Sequence, residues 1–169
     1  MISALLVLFF LLSPAIGGGM VYFVSRFFGE KQLLIKILSF MSSLPPLALS
    51  IHLIYTKVSN LYYGDINGAY MFIDNFSLFF LLMFSIIFVT SLLYSFDYMS
   101  NREDQTEFYS SFLFLYSLTI GTVTAGDLFT FFILYEGVAI VVILISLFTR
   151  NAPSVMASMR YMRMVSIGS

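Results

Sequence analysis

Ala125-Gly-Asp-Leu-Phe-Thr-Phe-Phe-Ile-Leu-Tyr-Glu-Gly-Val-Ala-Ile-Val-Val-Ile-Leu-Ile-Ser-Leu-Phe148 is the stretch that decides the fold class. About 20 mostly apolar residues are enough to cross a bilayer as a helix. The segment from Leu128 to Phe148 meets that length with a single ionisable side chain, Glu136. Asp127 stands just before it, placed as an N-cap whose side chain accepts from free amide groups. At 1.5 Å per residue, Glu136 lies about 12 Å into this helix, inside a hydrocarbon core of about 30 Å.

The rest of the chain extends the same pattern. Of 169 residues, 60% are hydrophobic and 10% charged. A soluble domain carries roughly 25% charge, so this surface is not made to face water. The composition predicts an all-α, polytopic transmembrane bundle forming one domain over residues 1–169. A net charge of −1 offers no basic patch for nucleic acid. The absence of cysteine excludes disulfides, thiolate metal sites and thiol nucleophiles. The first 25 residues lack a basic stretch before their long apolar run, which favours a retained helix over a cleaved signal peptide.

Five segments qualify as spanning helices: about Ile2 to Val24, Leu33 to Tyr55, Phe76 to Tyr94, Phe108 to Ala125 and Leu128 to Phe148. Pro14 with Gly17-Gly18-Gly19, and Pro45-Pro46, fall inside the first two. A packed bundle tolerates such breakers as kinks or close contacts. A sixth segment starts near Pro153, and the 16 or so residues that remain are too few to cross. The joints are polar. Thr56 to Asp74 is the longest, with Asn60, Gly64, Asp65, Asn67 and Gly68 as turn formers. The join before Leu128 is so short that the fourth and fifth helices must be antiparallel neighbours. Arg26, Lys31, Arg102 and Arg150 gather on one side and Lys57 lies on the other, which predicts an outside N-terminus. Asp74 is placed to cap the third helix, and Lys36 to snorkel to the interface.

An acid at this depth is unfavourable unless it faces a cavity or a partner, and it marks a functional site by default. Glu136 is therefore the candidate for proton translocation. The plainer reading is a neutral, hydrogen-bonded tie between helices. Arg160 and Arg163 share one face of the sixth segment and are candidate counter-ions, or they snorkel to the interface. His52 is a candidate proton relay by its unperturbed pKa, or an ordinary interfacial side chain. No metal-ligand cluster, phosphate loop, catalytic triad or cofactor motif is visible, so neither metal nor cofactor is expected.

Several motifs go beyond composition. Phe72-Ile-Asp-Asn-Phe-Ser-Leu-Phe-Phe80 and Tyr94-Ser-Phe-Asp-Tyr-Met99 resemble the entry and exit of the third helix in the antiporter-like subunits of respiratory complex I. Gly126-Asp-Leu-Phe-Thr-Phe-Phe-Ile-Leu-Tyr-Glu136 is similar to their fifth helix, which ends in a membrane glutamate. Ala157-Ser-Met-Arg-Tyr161 and Ser166-Ile-Gly-Ser169 resemble the start of their sixth, with Arg160 where lysine is usual. The family also includes the large subunits of multisubunit sodium/proton antiporters and of membrane-bound hydrogenases.

The resemblance implies the N-terminal part of a proton- or sodium-translocating subunit, about helices 1–6 of some 14. Its setting would be a complex-I-like NADH:quinone oxidoreductase, or a related hydrogenase or antiporter complex. It implies a prokaryotic cell membrane or the mitochondrial inner membrane. It also implies partner subunits, among them a chain supplying the later helices and the lysine that pairs with Glu136. The alternative is a shortened scaffold subunit that moves no ions.

Overall fold

In the computed structural model the described residues are 2–28, 32–56, 61–66, 69–100, 102, 104–147, 156, 160 and 164, with side chains left out at 2–8, 10, 28, 61–66, 69 and 70. Five helices follow in order: α1 (Ile2–Phe28), α2 (Gln32–Tyr55), α3 (Asn75–Tyr98), α4 (Gln105–Thr124) and α5 (Leu128–Leu147). α1 packs on α2 and α4, α2 on α3, and α4 reaches back to α2 and α3; α5 lies outside, against α4.

Two expectations need correction. Among the described residues, three helices rather than five are long and apolar enough to cross a membrane: α2, α3 and α5. α4 carries Gln105, Thr106, Glu107, Ser110, Ser111, Ser117, Thr119, Thr122 and Thr124, which dilute its apolar character. Of α1, side chains are described only from Phe9 onward. The second correction concerns the long joint. Strands β1 (Leu61–Ile66) and β2 (Ala69–Ile73) pair antiparallel within it, so the fold is not purely helical. Residues 61–63 and 70–73 are rich in Tyr, Phe and Ile, which suit strands, and Asn67-Gly68 between them is the strongest short hairpin signal. β2 packs on α3, α4 and α5, and a bridge joins Met71 to Ala125, so the hairpin ties together one end of the bundle.

The buried positions invert the pattern of a soluble protein. On α2 they include Ser39, Ser43, Pro46 and Ser50; on α3, Ser77, Ser85 and Ser95. The three- and four-residue spacing puts the α2 set on one helix face, and Leu78, Leu81, Val89 and Leu92 complete the face that the α3 serines share. Large apolar side chains such as Ile37, Ile51, Phe79 and Ile86 point outward. Bilayer tails are as apolar as leucine, so helix association there relies on small side chains, close packing and hydrogen bonds. Such bonds cross the α1–α4 seam: Ser25 Oγ pairs with Thr106 Oγ1 at 2.8 Å, and Ser110 Oγ donates to the Gly18 carbonyl at 2.9 Å. Between these helices and α3 lie two apolar clusters, one around Leu81 and Tyr116 and the other around Leu92 and Leu113.

Gly17 permits the α1–α2 contact. A β-carbon there would collide with the side chain of Ser42, whereas one at Gly19 would meet nothing within 4 Å. Gly17→Ala should therefore lower stability by about 1–3 kcal/mol through overpacking. Gly19→Ala should leave it unchanged or slightly raised, because alanine is the better helix former. Thermal unfolding of the two variants in lipid nanodiscs checks this.

The Asp74 carboxylate caps α3, accepting from the Ser77 amide at 2.7 Å. Hydrogen bonds from the Ser77 amide and then its hydroxyl hold the Asp74 pKa below its usual 3.8. A depressed folded-state pKa adds stability that is complete above the unfolded value and lost as pH falls through the folded one. The Tm difference between the natural protein and Asp74→Ala should be constant above about pH 5 and shrink below about pH 4.

Candidate functional site

α5 presents an ionisable group on a helix that is barely covered. Leu128, Phe129, Phe132, Ile133, Tyr135, Ile140 and Leu144 are all exposed, and Ala139 is its one buried residue among those described. Its start is fixed locally. Asp127 Oδ1 accepts from the Thr130 amide at 2.8 Å, and the Asp127 carbonyl accepts from the Phe131 amide at 3.0 Å. The helix lies close to α4 because both contribute glycine: Gly137 faces the Leu118 side chain, and Gly121 faces Leu134. This antiparallel pairing places Glu136 level with Thr119, in the second half of α4.

Glu136 is half-buried. Its Oε1 is enclosed and meets no hydrogen-bond partner. No described side chain comes within ion-pair distance of it. Removing one oxygen of a carboxylate from water without giving it a donor is unfavourable, and a cation or a proton relieves it. The arrangement can therefore bind or release a proton, or hold an incoming cation. Among the described residues no hydrogen bond closes on its Oε1.

The other candidates fall elsewhere. Arg160 is helical and exposed, with no bond to Glu136, and Arg163 lies outside the described residues. His52 is exposed near the end of α2, while α5 packs on α4 and β2. Lys36 does not snorkel free: its Nζ donates to the Phe96 carbonyl at 2.9 Å and lies 5.9 Å from the Phe96 ring centre, which ties α2 to the last turn of α3. A groove of about 400 Å³ opens between α1 and α4, lined by Gly19, Tyr22, Glu107, Ser110, Ser111 and Phe114; none of these residues is on α5. Among the described residues no group of three or more His, Asp or Glu is set to hold a metal.

Sequence reasoning missed one feature. Ser39, Ser85 and Tyr116 are fully buried; the Ser39 hydroxyl finds no partner among the described residues, and those of Ser85 and Tyr116 lie side by side. For Ser39 the signal was its four-residue spacing from Ser43; on α3 the buried serines share their face with Leu81, Val89 and Leu92, so serine spacing alone did not mark Ser85.

No family profile matches the chain. No curated protein sequence matches it either. The fold is similar to that of a chain in the membrane-bound sulfane sulfur reductase (MBS), an archaeal respiratory membrane complex. The TM-score is 0.83 at 20% identity, over 95% of this chain and 34% of that one. The present chain thus spans about a third of that chain's length and shares its helical membrane fold.

Removing the Asp127 cap should loosen the first turn of α5. Asp127→Ala should cost about 1 kcal/mol, while Asp127→Asn, which keeps an acceptor, should cost little. Thermal unfolding of the two variants in nanodiscs measures the difference.

Proposed function

We propose that this chain is a membrane subunit, or the N-terminal part of one, in a respiratory-type membrane complex, and that Glu136 couples its charge state to movement of protons or sodium ions. The observation that carries the reading is the enclosed, unpartnered Oε1 of Glu136 on a helix with little cover from its own chain. A buried membrane carboxyl without a partner requires a group from elsewhere to stabilise it. The motif order noted in the sequence supports the antiporter-like family. The similarity to a chain of an archaeal respiratory membrane complex supports the setting.

In this mechanism Glu136 is one half of a charge pair. When a cation approaches from a neighbouring helix, the ionised carboxylate is favoured and a proton leaves. When the cation withdraws, a proton takes its place at the carboxyl. α4 and the Asp127 cap hold the carboxyl at fixed depth while its partner moves. The cation is assigned to another polypeptide or to residues outside those described, because Arg160 is not brought to Glu136. The membrane is that of a prokaryotic cell or the mitochondrial inner membrane, with the N-terminus outside.

Glu136→Gln should abolish ion pumping by the assembled complex in proteoliposomes while leaving assembly intact. An assembled variant that pumps at the natural rate would make the chain a scaffold.

A further inference from the structure

The groove between α1 and α4 takes no part in the site on α5, and its lining is graded from apolar to charged. Ser25 meets Thr106 near one end of the bundle and Ser110 reaches Gly18 further in, so the two helices run antiparallel. The inner part of the groove is apolar. Phe114 lies over Gly18, where a β-carbon would come within 3.2 Å of its ring. Gly19 leaves the next position open, since a β-carbon there would meet nothing within 4 Å. The Ser110 hydroxyl is engaged by the Gly18 carbonyl. The outer part is different. Tyr22 and Glu107 line it and are both exposed. Arg26, also exposed, follows Tyr22 by four residues and shares its face of α1. Arg26 and Glu107 each adjoin a member of the Ser25–Thr106 pair, so a cation and an anion stand at the same end of the groove. Neither side chain forms an ion pair or hydrogen bond with another described residue.

We infer that this groove holds one phospholipid with a primary-ammonium headgroup, of the phosphatidylethanolamine class. An acyl chain lies along Gly19 and Phe114, Arg26 takes the phosphate, and Glu107 accepts from the ammonium. Tyr22 stands between them, at the headgroup level where amphipathic rings gather. The volume of about 400 Å³ falls in the range of small-molecule sites, about 300–1,000 Å³. Charge selects the headgroup. An anionic lipid supplies a phosphate for Arg26 but leaves Glu107 facing like charge. A choline headgroup supplies a cation with no N–H to donate, so the charge-assisted hydrogen bond to Glu107 is lost. An apolar helix of a neighbouring subunit would cover both charges without pairing either, which is unfavourable. This inference stands on α1 and α4 alone and does not require that Glu136 moves ions.

The test is native mass spectrometry of the purified complex, delipidated in detergent and titrated separately with phosphatidylethanolamine, phosphatidylcholine and phosphatidylglycerol of matched acyl chains. Phosphatidylethanolamine should bind most tightly. Glu107→Gln should weaken its tightest site about fivefold, the upper end of what an exposed ion pair contributes, and leave phosphatidylcholine binding unchanged. Gly19→Leu, which fills the groove, should remove one bound phosphatidylethanolamine per copy of this chain. A cryo-EM map of the natural complex should show acyl density beside Phe114. Equal affinity for the three lipids overturns the site, as does a Glu107→Gln complex that binds phosphatidylethanolamine as the natural one does. A full complement of bound lipid in Gly19→Leu, or a helix of another subunit lying in the groove, overturns it as well. Glu107→Gln alters an exposed side chain, so it carries the test even where Gly19→Leu fails to assemble.

Discussion

An enclosed carboxylate oxygen on the least covered helix is the constraint around which this structure is arranged. Glu136 Oε1 has neither a donor nor water-exposed surface, although α5 shows most of its other side chains to the outside. The helix cannot relieve this alone. Its own amides are engaged in the backbone ladder, its start is capped by Asp127, and its contact with α4 is made by glycine and leucine. Apolar neighbours hold the carboxyl in place without neutralising it.

The remaining helices supply a rigid backing, and they do so by means suited to lipid. In water, burying large apolar residues would drive the packing. Here many large apolar residues face outward, and serine, glycine and proline share the contacts with two apolar clusters. Gly17 lets α1 approach α2, Ser25 and Ser110 bond across to α4, and Lys36 fastens α2 to the end of α3. The hairpin ties α3, α4 and α5 together at one end. The Ser25 and Ser110 bonds and the hairpin act directly on α4, the helix on which α5 rests.

Much of this was legible in the sequence, for a physical reason. A bilayer imposes length and apolarity on each segment, so helix positions can be read from composition alone. The expected antiparallel contact of the fourth and fifth helices followed from their short join. The hairpin was not read, because a polar joint rich in turn formers masked the strand residues flanking Asn67-Gly68. α4 was counted as a full span because its long apolar side chains outweighed its many hydroxyls on inspection. Lys36 was expected at the interface, but the end of α3 offers a carbonyl and an aromatic ring within its reach. The depth and isolation of Glu136 came from sequence, whereas the unpartnered Oε1 required coordinates. The meeting of the buried Ser85 and Tyr116 side chains required them too, because a serine's direction is not set by its spacing.

The central claim is that Glu136 is half of a pair completed from beyond the described residues. A structure of the assembled complex with its neighbouring subunits tests this most directly. The account predicts a Lys or Arg nitrogen within about 4 Å of the Glu136 carboxylate, or joined to it through ordered water. A Glu136 sealed against lipid or apolar side chains on every side, with no cation and no water, would contradict it.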